Sequence, residues 1–335
     1  MNEKKKAGSL HRLLESRLFS QLMPVVLLLV LGVIFNIATA GRFAAFTSLK
    51  IVVEQALIVG TVATGAAFIF ATGNVSLSMG ATTVLTATLS GMAYNATGSL
   101  AVMIVSALVV GVAIMAISAL LSTVMGVRVM FVTIVMMTLL TAIQQSILGG
   151  STVSMPYELV QALTNNGFMY IAFGICFAVA VVLFHFTDIG RSLRFIGTND
   201  VCAEQAGISK SKYLLIAFII AGASCGIGAL LAIVRGGSIG TSTLTSLNMD
   251  CMLALVLGGM SIFGGSRSYV YSGIVGALTV TVLNQGLQMV GVDSTFIQAV
   301  RGIAFLALVT VSQVRPKGLP APEGAEKPTE DQLDL

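Results

Sequence analysis

Charge is what this sequence has least of. Only 32 of its 335 residues are Asp, Glu, Lys or Arg, 10% of the chain, where soluble domains carry roughly 25%. Between positions 55 and 127 there are 73 consecutive residues without one Asp, Glu, Lys, Arg or His. At roughly 20 residues per bilayer crossing, such a run holds three spans with their turns. It is far too long for one buried core helix, and with a mean hydropathy of +0.95 the chain is excluded from the soluble class.

The signatures of covalent chemistry are missing too. There is no GxxxxGK[ST], so the chain has no loop of its own to cradle nucleotide phosphates. HExxH does not occur, and the apolar windows hold no paired carboxylates. The four cysteines, Cys176, Cys202, Cys225 and Cys251, form no CxxC and have no histidine partners, which argues against a metal site and against a disulfide frame. His185 lies at a span end beside Asp188, an interfacial position rather than a catalytic one. No enzyme is expected, and no metal or cofactor of its own. Proton- and sodium-coupled carriers keep ionisable groups at mid-membrane. Here Glu54 and Asp250 are the carboxylates nearest the spans, and both fall close to window ends. A stand-alone secondary carrier or facilitator is the disfavoured alternative.

What is present is a series of apolar windows, at about 21–41, 51–72, 77–95, 99–125, 130–149, 167–186, 213–234, 247–264, 269–291 and 295–314. They predict an all-α polytopic membrane protein of about ten transmembrane helices. The basic start followed by a long apolar run without a clear cleavage site reads as a retained first span. Ten spans put both termini on one side. With the N-terminus cytoplasmic, fourteen of the 18 Lys and Arg residues fall inside, and Arg42, Lys50, Arg235 and Arg301 are the four that do not. The expected layout is a cytoplasmic segment 1–18, a transmembrane domain 19–314, and a disordered cytoplasmic tail 315–335 with Pro316, Pro320 and Pro322. The external segment 150–166 has Pro156 opening a short helical pattern, long enough to meet a soluble partner. Gly222-x-x-x-Gly226 reads as a close-packing site between helices and not as a specific dimer motif.

Uncharged polar groups interrupt the apolar runs. Thr72 to Gly80, with Gly73, Asn74, Ser76, Ser78 and Gly80, breaks one run into a broken or re-entrant segment. Irregular backbone at membrane depth is tolerated only where it packs on protein or lines a cavity. Gln144 lies near the end of the fifth window, and Asn284 and Gln288, four residues apart, share one face of the ninth. Neutral amides and hydroxyls suit a pathway for a neutral, hydroxyl-rich solute. The same residue types also make hydrogen bonds between helices, worth about 0.6 kcal/mol on average in membranes.

Residues 187–212 form a polar island that holds seven of the 32 charges. Such a segment cannot lie in hydrocarbon, and the Lys/Arg distribution places it inside. Thr187, Gly190-Arg191, Ile196-Gly197-x-Asn199, Ala203 and Gly207-Ile208 resemble the cytoplasmic coupling loop of permease subunits of ribose/galactose-type ABC sugar importers. Gly73-x-x-x-Leu77-Ser78-x-Gly80, Val127-Arg128-Val129 with Phe131 and Thr133, Leu257-Gly258-Gly259-x-Ser261-x-x-Gly264-Gly265, and Gln298 with Arg301-Gly302 resemble further motifs of that family in the same order, so the likeness runs from about residue 20 to 315. Ser76 stands where the family carries Asp, Glu204 where it usually carries a basic residue, and Ser266-Arg267 follow the Gly264-Gly265 pair.

The resemblance implies a bacterial inner-membrane, binding-protein-dependent translocator with no covalent chemistry of its own. Its partners would be a cytoplasmic ATP-binding subunit gripping a short helix near Thr198–Ala206, an extracytoplasmic solute-binding protein and a second permease chain, identical or not. Gly190, Arg191, Gly197, Asn199, Ala203, Glu204 and Gly207 would belong to the coupling loop. The solute would be a sugar or, as an alternative within the class, a nucleoside; nucleic acid is not among the partners. On this reading Gly197→Asp or Ala203→Arg abolishes transport and permease-stimulated ATPase activity while membrane insertion, followed by fractionation, is retained; normal transport would refute the docking role.

Overall fold

A computed structural model describes residues 17–306 apart from 242, 244, 245, 261–263, 266, 267, 294, 295, 304 and 305. The expected tail at 315–335, nearly all of the 1–18 segment, and Ser261, Ser266 and Arg267 of the quoted motifs lie outside the described residues. Twelve helices are bounded: α1 (Arg17–Ala38), α2 (Phe46–Ala71), α3 (Met79–Thr97), α4 (Leu100–Met125), α5 (Val129–Leu148), α6 (Tyr157–Asn165), α7 (Phe168–Val181), α8 (Asp188–Thr198), α9 (Asp200–Gln205), α10 (Lys210–Gly236), α11 (Leu247–Leu257) and α12 (Tyr271–Met289). Residues 296–303 are helical as well. A π-helical turn, Val182–Phe186, extends α7. The one feature the windows did not anticipate is a short antiparallel pair, β1 (Val153–Ser154) with β2 (Ser238–Ile239).

Among the described residues, five helices are long and apolar enough to cross a membrane: α2, α4, α5, α7 with its π turn, and α10. The chain is therefore an all-α, multi-pass membrane protein. Helices form where the sequence runs apolar because a backbone in hydrocarbon must satisfy its own amides. They end where it offers a residue able to reverse the chain, as at Gly98 (φ 68°) after α3 and Gly126 (φ 63°) after α4.

Burial separates the centre from the rim. Every residue of α2 from Ala56 to Ala71 is buried, as expected of a helix that is apolar all round and surrounded by others. It packs on α10, α12 and α11. Outside lie α4 and α7, whose Val105 and Val109, and Ile171, Ile175 and Val179, expose apolar stripes at four-residue spacing. A bilayer or another subunit covers such stripes at no hydrophobic cost. α3 is rich in threonine yet buried, because its hydroxyls bond back along the helix: Thr82 to the Ser78 carbonyl at 2.8 Å, Thr83 to Met79 at 2.8 Å and Thr88 to Val84 at 3.0 Å.

Small residues set the helix spacing. Gly222 and Gly226 face α4 within the chain: a Cβ at Gly222 would sit 2.6 Å from the Gly111 carbonyl oxygen, and one at Gly226 2.6 Å from that of Ala107. The Gly-x-x-x-Gly spacing is thus spent on internal packing, as the sequence indicated. Gly226→Leu is expected to force α4 and α10 apart, destabilising the purified protein by about 1–3 kcal/mol in a detergent unfolding assay. Gly174→Leu, where nothing lies within 4 Å, leaves the transition in place.

Candidate functional site: the coupling loop and the broken helix

The island opens with α8, whose charged face is turned outward and whose Gly190, Ser192, Leu193 and Ile196 are buried. The π turn that precedes it carries the fully buried Phe184, held edge-on against Phe68 of α2 at 5.2 Å. The Arg194 guanidinium lies 5.3 Å from the centre of the Phe184 ring, and its Nε donates to the Gly190 carbonyl at 3.1 Å. Gly190 leaves room for the Phe184 carbonyl, which any side chain there would strike. Arg191 stays on the surface, paired with Asp188 at 2.6 Å.

Asn199 ends α8 and caps α9, its side-chain oxygen accepting from the Cys202 amide at 3.2 Å. A short helix thus lies where one was expected near Thr198–Ala206, bounded by Asp200 and Gln205. Ala203 alone is buried; Asp200, Val201, Cys202, Glu204 and Gln205 are exposed, as is Gly207 beyond the end, with Val201 at 61% of its full area. Lys210 donates to Asp200 at 2.6 Å, tying the start of α9 to the start of α10. That hydrogen bond, with the ammonium charge behind it, holds the Asp200 carboxyl below its ordinary pKa. The pair's contribution is thus present above the unfolded-state value and lost as pH falls through the lower folded-state one. At an exposed site it is small.

The broken segment begins where α2 stops at Thr72, whose hydroxyl donates to the Ile69 carbonyl at 2.7 Å. Gly73 (φ 76°) turns the chain, and the Asn74 amide donates to the Thr72 hydroxyl at 3.0 Å. The Leu77 amide donates to the Thr133 hydroxyl of α5 at 3.2 Å. Ser76 and Ser78 are buried, their hydroxyls 3.4 Å apart. Gly80 then lets α3 start against α11, since a Cβ there would lie 2.8 Å from the Asn248 amide nitrogen.

These two regions touch. Gly197 sits on the Ala71 carbonyl so closely that a Cβ would collide with it, and the Gly265 amide donates to the same carbonyl at 3.2 Å. A Cβ at Gly264 would be 2.4 Å from the Gly73 nitrogen, a separation no side chain tolerates. Three segments far apart in sequence, 71–74, 197 and 264–265, therefore meet at one end of the bundle. The other end carries β1–β2, where Asn95 of α3 donates to the Ser154 carbonyl at 3.1 Å.

The remaining sequence-predicted residues are dispersed. Gln144 is buried at that other end, donating to the Gly240 carbonyl at 3.1 Å. Gln288 is exposed near the end of α12. Asn284 is fully buried within an ion-pair cluster: its oxygen accepts from Arg301 Nε at 2.6 Å, and Arg301 Nη1 lies 3.3 Å from Asp250 Oδ1. Sequence reasoning missed this pair. Asp250 was placed near a span end and Arg301 was counted among the external charges. The available signal was Arg301 lying inside the last apolar window.

The chain was compared with known proteins on this footing. Residues 48–309 match the family model described as branched-chain amino acid transport system / permease component. The chain belongs to this permease family. It is similar to the ribose import permease protein RbsC of Escherichia coli (strain K12), 25% identical over 309 residues covering 88% of this chain and 94% of that one. The fructose import permease protein FrcC of Rhizobium meliloti is 24% identical over 305 residues, 87% of this chain and 84% of the relative. The autoinducer 2 import system permease protein LsrC of Escherichia coli O9:H4 (strain HS) is 27% identical over 299 residues, 88% and 86% of the two chains. No solved structure matches. This permease is a component of an import system and not an enzyme.

The close seat of Gly197 on Ala71 and the burial of Ala203 change what their substitution reports. Both positions act through internal packing, whereas Val201 and Glu204 are exposed. In the purified permease, Gly197→Ala is expected to lower stability by about 1–3 kcal/mol through the collision with Ala71. Val201→Ala should change it by less than about 0.5 kcal/mol. Equal thermal midpoints for the two variants would show that the seat is loose.

Proposed function

We propose that this chain forms, with a second permease chain, the translocation pathway of an ABC importer for a sugar or similar neutral polyhydroxylated solute, driven by separate cytoplasmic ATPase subunits. The observation that carries the reading is the build of the island: α9 offers an exposed face of Asp200, Val201, Cys202, Glu204 and Gln205, while Gly197, on the adjoining helix, bears on the end of α2 where the broken segment starts. Gly190, Arg191, Asn199, Ala203 and Gly207 hold that face in shape. A partner that pushes on α9 pushes on the break.

The chain crosses a bacterial plasma membrane ten times, with both termini and the island inside. The Lys/Arg distribution supports this arrangement. A solute-binding protein delivers the solute from outside. A neutral solute suits a pathway that runs by the broken segment, whose Gly73, Asn74, Ser76, Ser78 and Gly80 are uncharged, while Gln144, Asn284 and Gln288 lie apart from it. The relatives named for import of ribose and of fructose point the same way.

Cys202 makes the reading testable without engineering, because it is exposed while Cys176, Cys225 and Cys251 are buried. A membrane-impermeant maleimide should label Cys202 in inside-out vesicles and not in intact cells, and the assembled ATPase should block that labelling. In proteoliposomes, uptake of labelled sugar should require the ATPase, ATP and the binding protein. Uptake by the permease alone, or labelling of Cys202 from outside, would overturn the proposal.

A further inference from the structure

The Asp250–Arg301 pair stands apart from the coupling loop and from the broken segment. The two side chains are 4% and 9% exposed, on elements expected within the membrane. Three elements contribute: α11 supplies Asp250, α12 supplies Asn284, and the helix at 296–303 supplies Arg301. The contacts close on one another. Arg301 Nη1 lies 3.3 Å from Asp250 Oδ1, and Arg301 Nε donates to Asn284 Oδ1 at 2.6 Å. Asn284 Nδ2 donates to Asp250 Oδ1 at 3.4 Å, and the Ser246 hydroxyl donates to Asp250 Oδ2 at 3.2 Å. Taking two charges out of water is costly, and apolar side chains of similar volume commonly hold helices together as well. A charged pair in such a place therefore calls for a role that apolar packing does not fill.

Its position indicates the role. β2 and α11 follow one another in the chain and are fastened separately. β2 and Gly240 are held at the end formed by α3, α5 and β1, where Gln144 donates to the Gly240 carbonyl and β2 pairs with β1. α11 is held through Asp250, one turn from its start. The pair thus decides where α11 lies relative to α12 and the helix at 296–303. Apolar contacts tolerate sliding, whereas a guanidinium held by one amide and one carboxylate fixes both distance and rotation.

We propose that Asp250 and Arg301 are positioning residues for transport, locking α11, α12 and the helix at 296–303 into one rigid unit so that α11 keeps its register with β2 and Gly240 at the end of α5. The inference rests on the transport reading above. Neither residue contacts solute; both act through the elements they hold.

The test uses the complete complex of permease, ATPase and binding protein in proteoliposomes, reading folded yield by gel filtration, ATP hydrolysis and solute moved per ATP. Arg301→Met leaves a buried carboxylate unpaired, and its folded yield is expected to collapse. Asp250→Asn combined with Arg301→Met removes both charges and is expected to restore folded yield. Solute moved per ATP should then fall roughly tenfold, within the usual range of coupling between sites, with ATP hydrolysis retained. Should that double variant not accumulate, Asp250→Glu keeps the charge but displaces it by one methylene, and the same fall in solute per ATP is expected with folded yield intact. Transport per ATP within twofold of the unmodified complex in either folded variant would overturn the proposal and reduce the pair to packing. A failure of the transport reading itself would look different, since the unmodified complex would then show no ATP-dependent uptake.

Discussion

A backbone amide in hydrocarbon has no water to turn to, and the rest of this structure follows from that. Helices are the default because they satisfy their own amides. The informative places are those where the helical ladder stops inside the bundle, for there a neighbour must take over. At Leu77 the neighbour is the Thr133 hydroxyl, and at Gly265 it is the Ala71 carbonyl. These substitutions for lost helical bonds are also contacts between distant parts of the chain. The interruption in α2–α3 is joined to α5, α8 and the 264–265 segment because it could not otherwise exist at that depth.

The same constraint governs the polar side chains. Thr61, Thr64, Thr82, Thr83 and Thr88 give their protons to carbonyls one turn back, so a threonine-rich sequence costs the centre of the bundle little. Arg301 and Asp250 have no such local solution and find each other across elements. These threonine hydroxyls are absorbed within their own helices, while this buried ion pair joins separate elements.

Much of this was legible in the sequence, for physical reasons. Hydropathy located α4, α7 and α10 because each is written in one long apolar run, and Pro156 announced α6 by its fixed backbone angle. The division of the island into α8 and α9 is harder to read, since Asn199 makes its cap with a residue type that also suits an open loop. Long-range meetings were not legible at all. Nothing local in Gly197 says that it faces Ala71, and the partner of Asp250 is 51 positions away in sequence. Window analysis assigns each charge to its own segment, so Arg301 was counted as a loop charge when it is part of a pair. The two-residue strands were missed because pairing between 153–154 and 238–239 is a property of the folded chain and of neither segment alone.

Gly197 and Val201 are four residues apart and answer to different masters. The first is constrained by the Ala71 carbonyl of its own chain, which leaves no space for a methyl group, whatever partner is bound. The second meets only what lies outside. As relatives diverge, the glycine has one acceptable identity, while the positions around Val201 are free to drift in step with the surface they touch. The 26 residues from 187 to 212 thus divide into positions that answer to the chain's own packing and positions that answer only to what lies outside.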